Sequence, residues 1–492
     1  MTKSLTYKVC ILAAGKGKRM LQLSERFNKA LLPLKFKASI SHIIEKFPKT
    51  VEIIIAVGHE KEKVTEYLSC AHEDRKIKII EVDNFSAKGS GPGYSLLSCR
   101  SELKCPFIFF SVDSIVEEKI PLPDKNWMGI APIKNSKDYC TVLLNDDLIE
   151  ELQDKVQSNN KNAFIGLAGI KDYKIFFNAL EKNQLLVQNE KQVSNGFNAL
   201  IQKKLSPVFF TWHDIGNIDG YEKTKKKFSN PSEPFNFEKI DEYLYFLKNK
   251  VIKYFNDPKI IKKRILRANS LGYLCPEIVH KTKFFYSYQK VPGHIFYDAK
   301  DPLLVRNLLK WLDKNLWKKK TLNKFKAKDF QKLCKLFYFD KTIKRLNAYF
   351  KKYKLKDKTQ IINGEKVPSA LNLISNINWE WISDGIPSQF HGDLQFENIL
   401  FSKKNKFKLI DWRQDFSGNL NYGDIYYDLA KLNGGIYVSY QNVKKNLFNY
   451  QKKKDDIIIS VSSSKFLKES KKIFDNFVKI KNFDNRKIEI LT

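Results

Sequence analysis

The sequence predicts an α/β domain followed by a second, mostly helical α+β domain. Three observations carry that expectation: the first third alternates short apolar strands with helical stretches, an aperiodic segment follows near residue 230, and a pair of aromatic and β-branched strands then leads into a mostly helical remainder. At 492 residues the chain has room for roughly two or three compact domains, each with its own core.

The first strand is YKVCILAAG (7–15), an apolar run entering a glycine turn; VEIIIAVG (51–58), KIKIIEVD (76–83) and CPFIFFSVD (105–113) are the next three. Strands separated by helices build a parallel sheet with crossover helices, and functional groups in such sheets gather at the strands' carboxyl ends. Each of these four ends in glycine or aspartate. The segment KFSNPSEPFNF (227–237), with two prolines, two asparagines and two serines, breaks the periodicity and reads as a linker. Beyond it, EYLYFLKNKVIKYF (242–255) is a strand pair, and the helical remainder is interrupted by the loop HGDLQFENILF and by FKLIDW. The expected division is 1–228, a linker at 229–237, and 238–492 with a small lobe at 238–292 and a helical lobe at 293–492. The mostly apolar end, Lys487 to Thr492, has neither a cap nor a polar tail, as expected of a final helix cut short.

Composition narrows the function classes. With 43% hydrophobic and 13% aromatic residues the chain is packed rather than disordered. No run approaches the roughly 18 uncharged apolar residues of a membrane span, and the amino terminus enters a strand without a cleavage-site pattern, so no membrane insertion and a cytoplasmic location are expected. Seven cysteines are scattered without a C-x-x-C pair, against both a zinc site and a disulfide framework. The net charge of +33 invites RNA or anionic membranes as partners. The excess is mostly lysine spread along the chain, however, and arginine, the bidentate reader of phosphate and guanine, is scarce. Nucleic acid is therefore not an expected partner, whereas anionic small molecules suit the positive field.

The first chemical constellation begins with Ala13-Ala14-Gly15-Lys16-Gly17-Lys18-Arg19, between a buried strand and a helix. Glycines there permit positive φ and let backbone N–H groups approach phosphate, although a lone G-x-G is as readily an ordinary tight turn. Arg19 and Lys29 add cations for a triphosphate, while Asp113 and Asp214, at strand ends, are carboxylates able to hold Mg2+ between phosphates. Over about residues 7–228 the chain resembles the sugar-phosphate and phosphoalcohol nucleotidyltransferases. Leu12 to Met20 match their L-A-[AG]-G-x-G-x-R-[ML], Asn28 to Pro33 their P-K-x-L-x-P with Asn28 in place of proline, and Trp212 to Gly216 their W-x-D-[IT]-G. The resemblance implies a Rossmann-like domain. It implies Asp113 and Asp214 as magnesium ligands, and Arg19 and Lys29 as triphosphate contacts of catalytic importance. It also implies Leu12, Ala13, Ala14, Gly15 and Gly17, with Gly89, Gly91 and Gly93, around the nucleotide, and Trp212 and Lys155 toward the acceptor. Ser111-Val112-Asp113 replaces the usual G-D, and Gly89-Ser90-Gly91-Pro92-Gly93 the usual G-T-A, so base and acceptor stay open.

The second constellation is His391-Gly392-Asp393-Leu394-Gln395-Phe396-Glu397-Asn398, followed by Ile410-Asp411-Trp412. Phosphoryl transfer to an alcohol needs a carboxylate for the hydroxyl proton and ligands for magnesium on the nucleotide, which Asp393, Asn398 and Asp411 can supply. From about residue 238 onward the chain resembles the aminoglycoside phosphotransferase and choline kinase group, whose H-G-D-x-x-x-x-N and I-D-W are both intact. That resemblance implies a protein-kinase-like α+β fold, Asp393 as base, Asn398 and Asp411 as metal ligands, Lys253 as the strand lysine on the ATP phosphates, and Asp424 and Asp428 as structural braces. Two departures stand out: residues 221–271 contain no glycine for a flap over ATP, and the helix expected at 258–271 has no acid to hold Lys253, Asp257 being the nearest.

The two resemblances together imply a bifunctional enzyme that uses ATP, Mg2+ and a second NTP, with CTP as one candidate. A small sugar or alcohol would be phosphorylated, and its phosphate would then attack the NTP to give an activated precursor for surface polysaccharide. One alternative is choline or ethanolamine kinase joined to a CTP:phosphoalcohol cytidylyltransferase. Another is an active transferase with an inactive, regulatory kinase-like domain.

Overall fold

The structure, a computed structural model, describes residues 5–229, 241–402, 406–437, 442–443, 445–453, 456–461 and 463–492. Apart from Ser229, the expected linker lies outside the described residues. The described residues form two compact units: 5–229 with 241–256 and 280–287, and 257–279 with the described part of 288–492.

The first unit is built on a nine-stranded sheet. Its four expected strands lie at Lys8–Ala13, Glu52–Val57, Ile77–Glu81 and Phe107–Ser111, all parallel, with the first between the second and the fourth and the third outermost. Alternate residues of the central strands enter two cores. Val9, Ile11, Ala13, Ile53, Ile55, Ile108 and Phe110 face one side, and Cys10, Leu12, Ile54, Ala56, Phe107 and Phe109 the other. This two-sided burial explains why the runs are continuously apolar. The order reverses at Lys8–Ala13, between Glu52–Val57 and Phe107–Ser111, so the crevice for a ligand lies beyond the carboxyl ends of those strands. The sheet continues beyond the expected strands: Asn162–Ile170 runs antiparallel to Phe107–Ser111, and Trp127–Pro132, Cys140–Asn145, Leu148–Asp154 and Ser206–Phe209 complete it.

The strand pair Glu242–Leu247 and Lys250–Phe255, read from sequence as part of the second domain's small lobe, makes its contacts within the first unit. The fully buried Tyr245 packs its ring 5.0 Å from Tyr67 and donates its hydroxyl to Leu31 O at 2.8 Å. An aromatic cluster of Phe27, Tyr243, Tyr254 and Phe285 surrounds it.

The second unit is mostly helical, as expected. Pro258–Leu271, Pro302–Asn315, Lys324–Lys335, Lys341–Tyr353, Ile425–Tyr437, Lys465–Ile480 and Asn485–Leu491 carry it, around Phe330, Phe337, Phe390, Phe416 and Tyr427. The strands Ile399–Ser402 and Lys406–Leu409 pair antiparallel directly after the His391–Asn398 loop. The helix Asn485–Leu491, whose end looked uncapped in sequence, is capped at its amino end by Asp484, which accepts from Arg486 N.

Candidate active sites

In the first unit, Leu12, Ala13 and Ala14 are buried as the strand leaves the sheet, and the loop turns outward at Gly15. Gly17 has φ 64°, a left-handed conformation that favours glycine, and caps the short turn Lys18–Met20 that presents Arg19. Asn28, fully buried, ties this loop to the next. Its amide donates to Ala13 O (2.9 Å) and His59 O (2.7 Å), and its Oδ1 accepts from Ala30 N (2.9 Å), capping the turn Lys29–Leu31. Lys29 is thereby aimed at Asp113, with which it forms an ion pair. Asp113 also accepts from the Ser111 hydroxyl. Burial alone would raise the Asp113 carboxyl, but Lys29, Ser111 and Arg19 outweigh it and hold the group down at about 2.

Asp214 arrives on Trp212–Asp214, paired antiparallel with Ser114–Val116 so that Asp214 faces Ser114, the neighbour of Asp113. It accepts from Gly216 N (2.8 Å), the Tyr139 hydroxyl (2.9 Å) and the Asn217 amide (3.1 Å). Burial, with the nearby charge of Asp113, raises its carboxyl despite these bonds. A methyl group built on Gly216 would meet Asp214 Oδ1 at 3.0 Å, Arg19 Nη2 at 3.1 Å and Asp113 Oδ2 at 3.1 Å. Two carboxylates and a guanidinium thus converge on one point at the carboxyl end of the sheet, with Lys29 on one of the carboxylates. This donor set suits Mg2+, which takes one or two carboxylates and completes its shell with water and substrate phosphate. Among the described residues no three His, Cys, Asp or Glu side chains form a closed protein cage.

The other predicted residues surround this cluster unequally. Trp212 donates its indole N–H to Ser114 Oγ at 3.3 Å and packs edge-on to Tyr139. Lys155 donates its backbone N–H to Tyr139 O (2.9 Å), while its ammonium lies 3.4 Å from Gln188 Oε1 and 3.7 Å from Glu190 Oε2. Gly91 and Gly93 pack against Glu190–Gln192 so closely that a methyl group on either would sit 2.8 Å from its nearest neighbour, whereas one on Gly89 would meet nothing. Tight packing therefore accounts for Gly91 and Gly93, and open space remains beside Gly89. Asn28, Ser111 and Tyr139 were not singled out as site residues. Asn28 and Ser111 each carried a sequence signal, as departures from the expected proline and from the usual G-D, whereas Tyr139 carried none.

In the second unit, the buried Asp428 accepts His391 N (2.8 Å), Gly392 N (2.7 Å) and the Trp317 indole N–H (3.3 Å), bracing the loop directly; its burial raises the carboxyl to about 6. Asp424, also raised by burial to about 6, instead accepts from the Tyr338 hydroxyl, Ile386 N and Tyr426 N. His391 is lowered to about 4 by burial, and as a neutral ring donates from Nε2 to Ile410 O at 2.9 Å. Asn398 donates to Asp393 O (2.8 Å) and Oδ2 (3.3 Å), while Asp393 Oδ1 lies 3.2 Å from Lys431 Nζ. Ile410 N donates to Asn398 O at 2.8 Å, bringing Asp411 beside Asn398. Asp411 has φ 62°, and its Oδ1 accepts from Arg264 Nη1 at 3.0 Å. Asp393, Asn398 and Asp411 are therefore assembled in one place, and the oxygens of Asn398 and Asp411 form a donor set that suits Mg2+. Lys253 is buried mid-strand opposite Leu244, within the first unit. Pro258–Leu271 is acid-free, and the Asp257 carboxylate caps its amino end through Lys259 N (2.9 Å). Arg264 was not anticipated from sequence.

Comparison with known proteins bears on the first unit. Residues 9–115 match the MobA-like NTP transferase domain. The chain is 29% identical over 213 residues to the bifunctional protein GlmU of Methanocaldococcus jannaschii, covering 42% of this chain and 50% of that protein. It is 30% identical over 217 residues to the Methanococcus maripaludis GlmU, with 42% and 51% covered. To the mannose-1-phosphate guanylyltransferase regulatory subunit alpha-A of Danio rerio it is 32% identical over 123 residues, with 24% and 29% covered. The chain thus spans about half the length of the GlmU relatives it matches. Among solved structures, a UDP-glucose pyrophosphorylase superposes at TM-score 0.40 with 17% identity, over 46% of this chain and 98% of that one. The CTP:phosphocholine cytidylyltransferase of Streptococcus pneumoniae superposes at 0.39 with 19% identity, over 46% and 100%. The likeness to the MobA-like NTP transferase domain thus falls on residues 9–115, within the first unit, and the GlmU relatives match about two-fifths of the chain.

Proposed function

We propose that the amino-terminal domain transfers a nucleotidyl group from an NTP to a sugar phosphate or phosphoalcohol, releasing pyrophosphate. The observation that carries this reading is the convergence of Arg19, Asp113 and Asp214 around Gly216, with Lys29 on Asp113. An oxygen of the acceptor phosphate attacks the α-phosphorus of the NTP as the bond to the bridging oxygen of pyrophosphate breaks. Arg19 and Lys29 offset the charge that accumulates, and Asp113, ionised well below neutrality, keeps Lys29 oriented. Asp113 and Asp214 would hold Mg2+, which, when bound, neutralises phosphate charge. Asp113→Asn should abolish pyrophosphate release from a panel of NTPs and acceptor phosphates. Wild-type release with no pair in that panel would refute the reading.

The same proposal extends to the carboxyl-terminal half, with the second unit as a kinase-like domain that phosphorylates a small sugar or alcohol. Its support is the assembled loop, with Asp393 positioned by Asn398 and Asp428 holding His391 and Gly392. Asp393 takes the proton of the attacking hydroxyl, and Asn398 and Asp411 would hold Mg2+ on ATP. The phosphate ester formed here is the kind of acceptor used by the first site, so the two steps join into one route to an activated precursor. Asp393→Asn should lower acceptor-dependent ADP release about a hundredfold to ten-thousandfold while sparing pyrophosphate release. A second reading, a regulatory domain without turnover, is favoured by the Arg264–Asp411 ion pair, which places a protein cation on a proposed metal ligand. Magnesium-dependent ADP release decides between them.

A further inference from the structure

Beside the His391–Asn398 loop, within the second unit, lies a cavity of about 470 Å3, a size that suits a small molecule. The turn Leu336–Asp340, the helix Lys341–Tyr353 and the helix Ile425–Tyr437 all contribute to its wall. Two lining residues tie it to the loop: Gln395 is part of that loop, and Lys431 holds Asp393 Oδ1 at 3.2 Å. The cavity therefore adjoins the carboxylate that would accept the hydroxyl proton.

The lining side chains are one-sided in charge: Lys341, Arg345 and Lys431 all contribute, and none of the lining side chains is Asp or Glu. Among the described residues Lys341 and Arg345 have no carboxylate within ion-pair distance, so Lys431 alone of the three is neutralised. Lys341 rests instead on aromatic faces, 3.8 Å from the Phe337 ring centroid and 5.5 Å from that of Tyr427. Burial, then Arg413, Arg345 and Lys431, lower its ammonium to about 7. A half-buried cation such as Lys341 is costly unless a ligand supplies the missing charge, and the exposed Arg345 adds a second cation beside it. Two of the rings that could cradle an ammonium head group, Phe337 and Tyr427, already carry the protein's own ammonium.

We infer that the acceptor of this domain is an alcohol that also bears an anionic group, a carboxylate or a phosphate, held by Lys341 and Arg345 while its hydroxyl faces Asp393. The inference rests on the kinase reading above and deepens it by naming the substrate class. The hydroxyl oxygen bonds to the γ-phosphorus of ATP as that atom's bond to the β–γ bridging oxygen breaks. ADP leaves with the bond's electron pair, and the hydroxyl proton passes to Asp393. A quaternary or primary ammonium alcohol would meet the like charges of Lys341 and Arg345 there, so choline and ethanolamine are disfavoured.

The test uses the full chain with Mg-ATP and four acceptor groups: hydroxy acids and sugar acids, sugar and polyol phosphates, the matching neutral polyols, and choline with ethanolamine. ADP release is followed for each. An anionic acceptor should exceed its neutral counterpart at least tenfold in kcat/KM, and the carboxylate and phosphate arms identify which anion is used. Lys341→Gln with Arg345→Gln should raise KM for that acceptor tenfold or more while kcat stays within threefold. The exposed Arg345→Gln alone, with its unfolding midpoint checked against wild type, should raise KM at least threefold if the pair misfolds. A neutral or cationic acceptor used best, or a KM unmoved in folded variants, would overturn the inference and leave the kinase reading standing. Release of ADP with no acceptor of any charge would bring down the kinase reading, and the inference with it.

Discussion

Replacing Lys29 with methionine tests how the first site sets its charges. The Asp113 carboxyl lies at about 2 against 3.8 for a free aspartate, nearly two pH units, which corresponds to about 2 kcal/mol in favour of the ionised form. Both side chains are well shielded, at 15% and 17% exposed, so solvent screening takes little from that figure. Because the folded value lies below the free one, this contribution is complete above pH 3.8 and is lost as the pH falls through about 2. In Lys29→Met the burial that opposes ionisation of Asp113 is offset only by Ser111 and Arg19, so the stability loss at pH 7 should be about 2 kcal/mol or more, read by denaturant titration. Asp113, buried beside Asp214, should then titrate higher. The catalytic loss should be larger, about a hundredfold to a thousandfold in kcat/KM for pyrophosphate release, because a cation facing developing charge is gone. The acid limb of the pH–rate profile should also move upward toward the range of Asp214. Lys29→Arg should restore part of the rate. A variant with kcat/KM within threefold of wild type, or with an unmoved acid limb, would refute the assignment of Lys29 to both tasks.

Three further outcomes follow from named contacts. Asn28→Ala would leave Ala13 O, His59 O and Ala30 N without their buried partner, and should cost about 3 kcal/mol by chemical denaturation while lowering transferase activity through the displaced Lys29. Asp428 titrates at about 6 when folded against 3.8 when free, so its protonated form is favoured in the fold and wild-type stability falls as pH rises from 3.8 through 6. The stability difference between wild type and Asp428→Asn should therefore shift by about 3 kcal/mol in the variant's favour between pH 4 and 7, a comparison that cancels the opposite slope from His391. Arg264→Ala frees Asp411 from a partly exposed ion pair, and should lower the magnesium concentration that half-saturates ADP release about fivefold.

Three of the four parallel strands were legible because burial on both faces demands nearly unbroken apolar runs, and the edge strand Ile77–Glu81, with Lys78 inside it, was legible from its isoleucines. The antiparallel extension was not. Cys140–Asn145 and Leu148–Asp154 carry exposed Leu143, Leu148, Glu150 and Glu151, so their pattern is neither a buried strand nor a clean helix. Arg19, Lys29, Asp113 and Asp214, which the fold brings together, each sit in a short motif, yet Tyr139 reaches Asp214 only through the fold. Nothing in the sequence relates residue 264 to residue 411. An acid-free helix pointed to a missing partner for Lys253, and gave no sign that Arg264 on that helix would contact the aspartate instead.

Charge shows the same limit from the other side. An excess of 33 positive charges says little, because an exposed lysine such as Lys49 or Lys61 finds an exposed carboxylate and the pair contributes under about 1 kcal/mol. What distinguishes a functional cation here is the pairing that surrounds it. Lys29 is held by a carboxylate that is itself held by Ser111, so its position is fixed before any phosphate arrives. Lys341 and Arg345 have no carboxylate among the described residues and line a cavity instead, so their charge is balanced only when something anionic enters. In a lysine-rich chain these residues look alike in sequence. Tertiary packing separates Lys29, the proposed transition-state cation, from Lys341 and Arg345, the proposed anion-binding pair, and that separation makes the anionic acceptor a sharper expectation than net charge could supply.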